Sequence, residues 1–341
     1  MKNIYFFTFL VIIFISFLLI NPAICDAQSN YGFSVAPQFG FVHGQALEFV
    51  YPSSNNLKSE ILSELRYDMK PVFYLGLQVD FGLTNLMKSP GFFSSIIFKA
   101  GFSGDSGFHE NRDWRSTEND ALTDYSVHTN KTREFFWLDA ALGVSIPIES
   151  LFYIKPFFSG SWMRFAYTGR DGYGLYARGK KYDEFGNPIP DSSMFPTMFF
   201  PIDDNPVYYS YEGRDVIRYQ QEWLLLAIGF SVGTDFFSPF SLDLSFQISP
   251  FTYCAAMDEH LTTNVTYLDY TSFGFFFEPK GNISIAINKI DLSLAFTYRY
   301  IAKTRGQSYF RTGSTGSFWP NGEAGAGLSV MDLRFLVKYR F

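Results

Sequence analysis

The chain has 341 residues, is 20% aromatic and carries a formal net charge of −6. Its mean hydropathy is +0.00, and so many Phe and Tyr side chains at neutral hydropathy argue against an ordinary soluble domain. This combination suits a barrel with a lipid-facing outside and a polar interior, and the acidic balance argues against a nucleic-acid partner.

The N-terminus has the features of a secretory signal peptide. Lys2 precedes a long apolar run, and small residues follow it. We therefore predict that residues 1–27 are removed and that residues 28–341 form a single barrel domain. Two alternatives stay open. The apolar run is long enough to be a retained membrane helix, and lipidation of Cys25 is the weaker alternative.

Loss of this segment would leave Cys254 as the only cysteine, which excludes an intramolecular disulfide and a cysteine-based metal site. No other apolar run is long enough for a membrane-spanning helix. The sequence also lacks the phosphate-binding loop, the serine-hydrolase elbow and the zinc-protease helix motif. We therefore expect neither a metal nor a cofactor.

Ten stretches alternate apolar and polar residues with the two-residue period of a β-strand. They are predicted near 31–51, 59–82, 91–102, 128–146, 152–162, 224–232, 242–249, 273–287, 292–300 and 331–341. The last stretch ends on Phe341, as the closing strand of an outer-membrane barrel does. A polar loop is predicted at about 103–127, and the longest loop at about 171–214.

An even strand number lets both chain ends lie on the periplasmic side of a closed antiparallel barrel. Connections after odd-numbered strands are mostly long, whereas those after even-numbered strands are mostly short, as expected for outer loops and periplasmic turns. Twenty tilted residues rise roughly 50 Å, about twice the 25 Å apolar band. We therefore predict an all-β fold, a ten-stranded antiparallel transmembrane β-barrel extending above the outer membrane. A soluble β-sandwich is the less favoured alternative.

This topology places polar residues from distant parts of the chain at the outer end of the barrel. They are Glu48, Asn111, Asp113, Asp124, Ser126, His128, Asp258 and His260. Most of the residues able to carry out acid–base chemistry are thereby collected at one end of one barrel.

Four segments resemble motifs of the omptin family, outer-membrane aspartyl/histidine endopeptidases with ten-stranded barrels. The segments are Gly44–Tyr51, Asn111–Trp114, Thr123–His128 and Asp258–His260. Each is short, but four of them in the family's order on one barrel make a specific match.

The resemblance implies an endopeptidase that hydrolyses exposed polypeptides without a covalent intermediate. His260 would act as general base on a water molecule, and Asp258 would fix its tautomer. Asn111 and Asp113 would hold that water on the opposite wall.

The remaining matched residues would have supporting roles. Ser126, His128 and Asp124 would support the catalytic group, and Glu48 would form an acidic wall of the substrate pocket. The implied protein is a monomer in the bacterial outer membrane, with outer-membrane lipid around it and its active face towards extracellular polypeptide substrates.

Three departures from the family pattern limit these expectations. Asn111 stands where the family has an aspartate, so reduced or absent activity is expected. Ala256 replaces an acidic residue, which weakens any preference for Arg or Lys at the cleavage site. The cluster that binds lipopolysaccharide is poorly kept, since Arg164 is present but Trp162 and Glu222 replace its partners, so lipid dependence is not carried over.

Two other functions remain open. Asn111 and Ala256 favour a catalytically silent barrel that binds ligands or host proteins through its loops, as an adhesin does. A passive porin is third, because a ten-stranded barrel encloses little more than side chains. Asp139, Lys155 and Asp243 would fill such an interior.

The alternation raises one geometric difficulty. If the alternation of the seventh predicted strand (242–249) continued unbroken, Asp258 and His260 would face the lipid. The same holds for Ser126 and His128 and the fourth predicted strand (128–146). We therefore expect a β-bulge in each strand, and in strand 7 we place it within Pro250–Met257.

Overall fold

The computed structural model describes residues 31–52, 59–83, 90–115, 122–148, 152–176, 207–237 and 239–341. The predicted signal peptide at 1–27 lies outside these ranges, as does the stretch 177–206 of the longest predicted loop. No helix in the described part of the chain is long and apolar enough to cross a membrane.

The regular elements of the described chain are strands. Their bounds are β1 (Tyr31–Val50), β2 (Ser63–Leu83), β3 (Gly91–Gly101), β4 (Gly104–Asp113), β5 (Asp124–Ile148), β6 (Phe152–Tyr176), β7 (Val207–Ser210), β8 (Asp215–Phe237), β9 (Phe240–His260), β10 (Val265–Ser272), β11 (Phe276–Ile287), β12 (Ile290–Ile301), β13 (Arg305–Thr312) and β14 (Trp319–Arg340).

These strands form one antiparallel sheet, which closes where β1 pairs with β14. Three positions of the ring consist of two strands in line, namely β3 with β4, β10 with β11 and β12 with β13. The short β7 pairs with β6 beside the ring. The ring therefore has ten positions, which confirms the predicted ten-stranded antiparallel barrel.

Several strands extend beyond their predicted ends. β4 lies inside the predicted polar loop of 103–127, and β7 lies inside the predicted loop of 171–214. β10 and β13 likewise lengthen the predicted eighth and ninth strands. The loop prediction was therefore wrong for β4 and β7.

Large apolar side chains cover the outside of the half that contains both Tyr31 and Arg340. Phe39, Leu75 and Phe335 are examples, with exposed fractions of 50%, 55% and 48%. The strand pairing sets Phe39 beside the other two, so they form a continuous belt. Such a belt is typical of the lipid-facing surface of an outer-membrane barrel. The opposite end, formed by Val50, Asp113 and His260, is called the mouth below.

Paired charges fill the interior. The fully buried Arg299 donates to Glu278, and its Nη2 lies 3.1 Å from Oδ1 of Asp139. The predicted interior residue Asp139 is therefore part of this network. Arg299 also lies over the Trp137 ring, at 4.1 Å from the ring centroid.

A second network lies beside the first. Lys99 and Arg334 each approach Oδ2 of Asp332 to 2.7 Å. Lys155 and Asp243, the other predicted interior charges, form a pair at 3.1 Å. The interior charges of this half are thus matched by opposite charges.

An extra residue in β9 reverses which side chains face the barrel interior in the part of the strand nearer the mouth. Ile248 pairs with Ile228 of β8, but the next pair is Phe251 with Leu226, so β9 has one residue more than β8 over this step. The backbone N–H of Phe251 donates to Oγ of Ser249 at 2.7 Å. The irregularity lies at Ser249–Pro250, at the start of the predicted range, and Asp258 becomes an inward, buried residue.

The expected bulge in the other strand is also present. In β5, Thr132 pairs with Tyr167 and Glu134 with Ala166, so Arg133 is the extra residue. Beyond it, Ser126 and His128 face inward and are 4% and 2% exposed. One inserted residue reverses which face a side chain takes, because the side-chain period of a strand is two.

The Arg299 network yields a stability prediction. Arg299→Ala leaves Glu278 and Asp139 buried without their shared cation, so we expect the free energy of unfolding to fall by about 3–5 kcal/mol. Arg305→Ala is the control, because Arg305 and Glu323 are 62% and 45% exposed and their pair should contribute about 1 kcal/mol or less. Denaturant unfolding of the barrel in lipid vesicles measures both, and equal losses would contradict this assignment.

Candidate active site

The Asp258–His260 pair lies at the mouth, at the end of β9. Pairing with β8 and β10 sets Asp258 between Tyr219 and Tyr267, so hydrogen-bonded ladders hold it on both sides. Nε2 of His260 lies 2.7 Å from Oδ2 of Asp258. A carboxylate only accepts hydrogen bonds, so the neutral ring donates from Nε2 and leaves Nδ1 as the basic nitrogen. The Asp258 side chain is 3% exposed and that of His260 35%, so the base reaches solvent.

The pKa of His260 is raised above the ordinary histidine value. Burial alone would lower this pKa, but the Asp258 carboxylate and its hydrogen bond outweigh burial. Asp113 raises the pKa further, and Arg115 lowers it. Since β4 and β9 are four positions apart in the ring, these two residues act on the imidazole from across the mouth.

The wall facing His260 is built on β2 and β4. The hydroxyl of Ser63 lies 2.6 Å from Oδ1 of Asp113 and 3.0 Å from Oδ1 of Asn111, so one donor is shared by both side chains. Because the Asn111 oxygen accepts from Ser63, the amide nitrogen of Asn111 is left as a donor. Ser63, Asn111 and Asp113 are called the facing wall below.

Arg115 is a residue that the sequence analysis missed. Its Nη2 lies 2.7 Å from Oδ2 of Asp113, and its Nε lies 3.1 Å from Oδ2 of Asp124. The predicted supporting residue Asp124 therefore contacts the site through this guanidinium. A basic residue two positions after Asp113 was the available signal, because alternate residues of an extended segment share a side.

Ser126 and His128 lie behind the facing wall. Nδ1 of His128 is 2.7 Å from the carbonyl of Asp171, so it donates there, and Nε2 accepts from Oγ of Ser126 at 3.2 Å. Burial lowers the pKa of His128, which keeps the ring neutral. Ser126 pairs with Asn111 in the sheet, so this pair supports the facing wall from the neighbouring strand.

A layer of aromatic rings lies beside the site. The ring of Tyr67 stacks on Tyr219 at 4.1 Å and on His109 at 4.4 Å, and all three residues are at most 1% exposed. Gln221 donates to Oη of Tyr219 and to the carbonyl of Leu47, both at 2.8 Å. Tyr67 gave no sequence signal, because unbroken alternation from Phe73 would put it in the outward row. It faces inward because β2 has an extra residue between Val72 and Met69.

Glu48 lies against this aromatic layer. It is 2% exposed, and Oη of Tyr67 donates to its Oε2 at 3.4 Å. Burial raises the pKa of Glu48, and the carboxylates of Asp258 and Asp269 raise it further. Asp269 is a second residue that the sequence analysis missed.

The eight predicted site residues thus lie in the mouth half of the barrel. In the described part of the chain, no group of three His, Cys, Asp or Glu side chains is arranged to hold a metal ion. What the site offers is a histidine base with a carboxylate partner, opposite a wall of hydrogen-bonding groups. This arrangement suits acid–base chemistry on a bound water molecule.

The dyad yields a prediction that needs no substrate. Asp258→Asn keeps a hydrogen-bond acceptor but removes the charge that holds the His260 pKa up, so this pKa should fall. An NMR titration of the His260 ring measures it. Asp243→Asn, the same change near the other end of β9, should leave it in place. A His260 titration that is identical in wild type and Asp258→Asn would contradict the pairing.

Three comparisons relate this chain to known proteins. The crystal structure of the outer membrane protease OmpT from Escherichia coli matches with a TM-score of 0.73 at 16% identity, over 93% of this chain and 99% of that chain. The translocator domain of the autotransporter NalP from Neisseria meningitidis matches with a TM-score of 0.34 at 10% identity, over 94% and 91% of the two chains. The P. putida toluene transporter TodX matches with a TM-score of 0.28 at 8% identity, over 91% and 90%.

Only the first of these similarities is high enough to show a shared fold. No curated protein sequence matches the chain. The model of the Omptin family, however, matches residues 29–192 and 205–341. This match supports a location in the bacterial outer membrane and a protease-type function. Since it covers most of the sequence, the chain belongs to the omptin family.

Proposed function

We propose that this chain is an endopeptidase that hydrolyses exposed polypeptides with a water molecule activated by His260. The observation that carries the proposal is the Asp258–His260 pair, whose Nε2 and Oδ2 atoms lie 2.7 Å apart and whose imidazole reaches solvent. Asp113 on the opposite wall raises the pKa of that imidazole. Such an arrangement lets a water molecule be held between a base and an acceptor wall.

In this mechanism Nδ1 of His260 takes a proton from the water as it attacks the scissile carbonyl. Asp258 stabilises the imidazolium that forms and keeps the ring in the required tautomer. Asp113 and Asn111 orient the water, and Ser63 orients both of them. The imidazolium then gives its proton to the leaving amine, which completes hydrolysis without a covalent intermediate.

We further propose that the mouth faces the cell exterior. The first strand begins and the last strand ends in the half that carries the apolar belt. In outer-membrane barrels these two ends lie on the periplasmic side with the short turns, which places the mouth on the other side. Polypeptides at the cell surface are then the substrates. A monomeric state stays a prediction.

Dependence on lipopolysaccharide is not part of the proposal. Arg164 lies 2.9 Å from Glu134 (Nε to Oε2), and the indole nitrogen of Trp162 donates to Glu222 at 2.9 Å. The one matched cation therefore has a carboxylate of its own chain as partner.

A silent surface-binding barrel is the second candidate, because the facing wall departs from what water activation favours. Asn111 brings a donor where an acceptor is expected, and Arg115 offsets the charge of Asp113. Both features weaken the attraction of the wall for the proton-rich side of a water molecule. The two variants below separate the candidates.

His260→Ala should abolish cleavage of a quenched fluorescent peptide by the refolded chain. Loss of a general base typically costs about 10²–10⁴ in rate. His43→Ala is the control, since His43 lies on β1 outside the site. Cleavage that survives in His260→Ala would come from another site or a contaminant, and it would remove the support for this mechanism.

Asn111→Asp should raise turnover by about tenfold or more, because a carboxylate acceptor orients and polarises the water better than an amide. Asn288→Asp adds the same charge at a turn far from the mouth and should have no effect. The readout is kcat on one peptide for all three chains. Unchanged turnover in Asn111→Asp would tell against a water held by the facing wall.

A further inference from the structure

The belt half of the barrel is not filled to its end. Between the Arg299 network and the last residue, Phe341, lies a cavity of about 570 Å³. A smaller cavity of about 190 Å³ continues it inward, and Lys155 lines both. The smaller cavity ends at Asp139 and Ser161, which both hydrogen-bond to the fully buried Arg299. The two parts together are called the belt cavity below.

Positive charge is in excess on the wall of the belt cavity. Five cationic residues and three carboxylates line its larger part. The cations are Lys155, Lys280, Arg334, Lys338 and Arg340, and the carboxylates are Asp80, Asp243 and Asp291. The smaller part adds Asp139, which already has Arg299 as its partner. A cleft with one sign of charge in excess concentrates ligands of the opposite sign, so this wall favours anions.

The carboxylates Asp80 and Asp243 have little capacity left for a cationic ligand. Each accepts from three side chains of the protein itself. For Asp80 the donors, at 2.9, 2.7 and 2.7 Å, are Gln78, Ser95 and Lys338. For Asp243 the donors, at 3.2, 3.1 and 2.6 Å, are Tyr153, Lys155 and Ser231. A carboxylate has about four acceptor sites, so most of this capacity is already used.

The cations of the belt cavity, in contrast, have donors to spare. An ammonium group carries three N–H donors. Nζ of Lys155 contacts Asp243 at 3.1 Å, and Nζ of Lys280 contacts Glu278 at 2.7 Å. Neither ammonium has a second acceptor among the described residues. Nε of Arg334 is buried and has no hydrogen-bond partner in the described part of the chain. A buried donor without an acceptor is costly, so a ligand that brings acceptor oxygens is favoured.

Lys155 is held in position without a ligand. Its Nζ lies 4.4 Å from the centroid of the Tyr153 ring and 5.7 Å from that of Phe93, in addition to its contact with Asp243. Its side chain keeps 18% exposure, so the ammonium still reaches the cavity. A group that is already ordered loses little conformational entropy when a ligand binds.

We propose that the belt cavity is a binding site for a small anionic molecule that carries two or more carboxylate or phosphate groups. Two groups are needed because the spare donors are separated. Lys155 and Lys280 line both parts of the cavity, whereas Arg334 lines only the larger part. The volume lies within the roughly 300–1,000 Å³ of small-molecule sites. The site is at the end of the barrel opposite the mouth and does not depend on the proposed endopeptidase function.

The test is isothermal titration calorimetry of the refolded full chain in non-ionic detergent micelles at neutral pH. The ligands are the dicarboxylate glutarate, its neutral diamide glutaramide, and pyrophosphate. We expect at least one of the two anions to bind about tenfold or more tightly than glutaramide. Tighter binding of pyrophosphate than of glutarate assigns the site to phosphate groups, and the reverse order assigns it to carboxylates. Binding of neither anion at millimolar concentration, or equal affinity for glutaramide, overturns the proposal.

Two variants locate the bound anion. Ser245 lines both parts of the cavity and pairs directly with Lys280, so Ser245→Glu places a competing carboxylate beside the spare donors. Lys155→Gln removes one cation instead. Each should lower the affinity for the anion about tenfold or more. Arg305→Gln, a change at a 62% exposed cation in the mouth half, should keep the wild-type affinity.

Circular dichroism shows which variants have refolded, and either cavity variant alone is sufficient for the test. Anion binding that is unchanged in a refolded cavity variant lies elsewhere on the molecule and overturns the proposal. Because no peptide is cleaved in these measurements, their outcome is separate from that of the proposed endopeptidase function.

Discussion

The site depends on register shifts in the sheet, and two of them turn the catalytic pair and its supporting residues inward. A closed antiparallel barrel makes every side chain face either the interior or the outside, in strict alternation. The register shift at Ser249–Pro250 and the extra residue Arg133 reverse that alternation above the belt. Without them, Asp258 and His128 would point away from the mouth. Both shifts lie between the apolar belt and the mouth. The half with the belt therefore keeps its lipid-facing surface, while the half with the mouth turns its polar residues inward.

The two halves of the barrel differ in how their buried carboxylates are paired. The belt half matches its carboxylates with arginine and lysine, as in the Arg299 and Asp332 networks, and this fills the interior. The mouth half places Glu48, Asp258 and Asp269 near one another with only His260 as an ion-pair partner in the described part of the chain. Burial raises the pKa values of Glu48 and Asp269, and the repulsion among these carboxylates raises them further.

The sequence predicted those features that recur within one strand. Alternation over ten stretches gave the strand number, and the parity of Asp258 and His128 required the bulges. What it missed comes from register between strands that are distant in sequence. Ala256 alone indicated a lost charge, and only the pairing of β9 with β10 places Asp269 beside it. Tyr67 was missed for the same reason, since its role follows from contacts with residues on distant strands, whereas Arg115 could have been found from its spacing after Asp113. β4 and β7 were predicted as parts of loops because neither shows a clear apolar–polar alternation.

The account has one central claim, that His260 and Asp113 act on the same water molecule from opposite walls. A double-mutant cycle on kcat/KM with His260→Ala and Asp113→Ala tests it most directly. Groups that act as a unit show strongly non-additive effects, so the double variant should be about as slow as the slower single variant. If the two losses multiply instead, the two residues act independently, and a water held between the walls is contradicted.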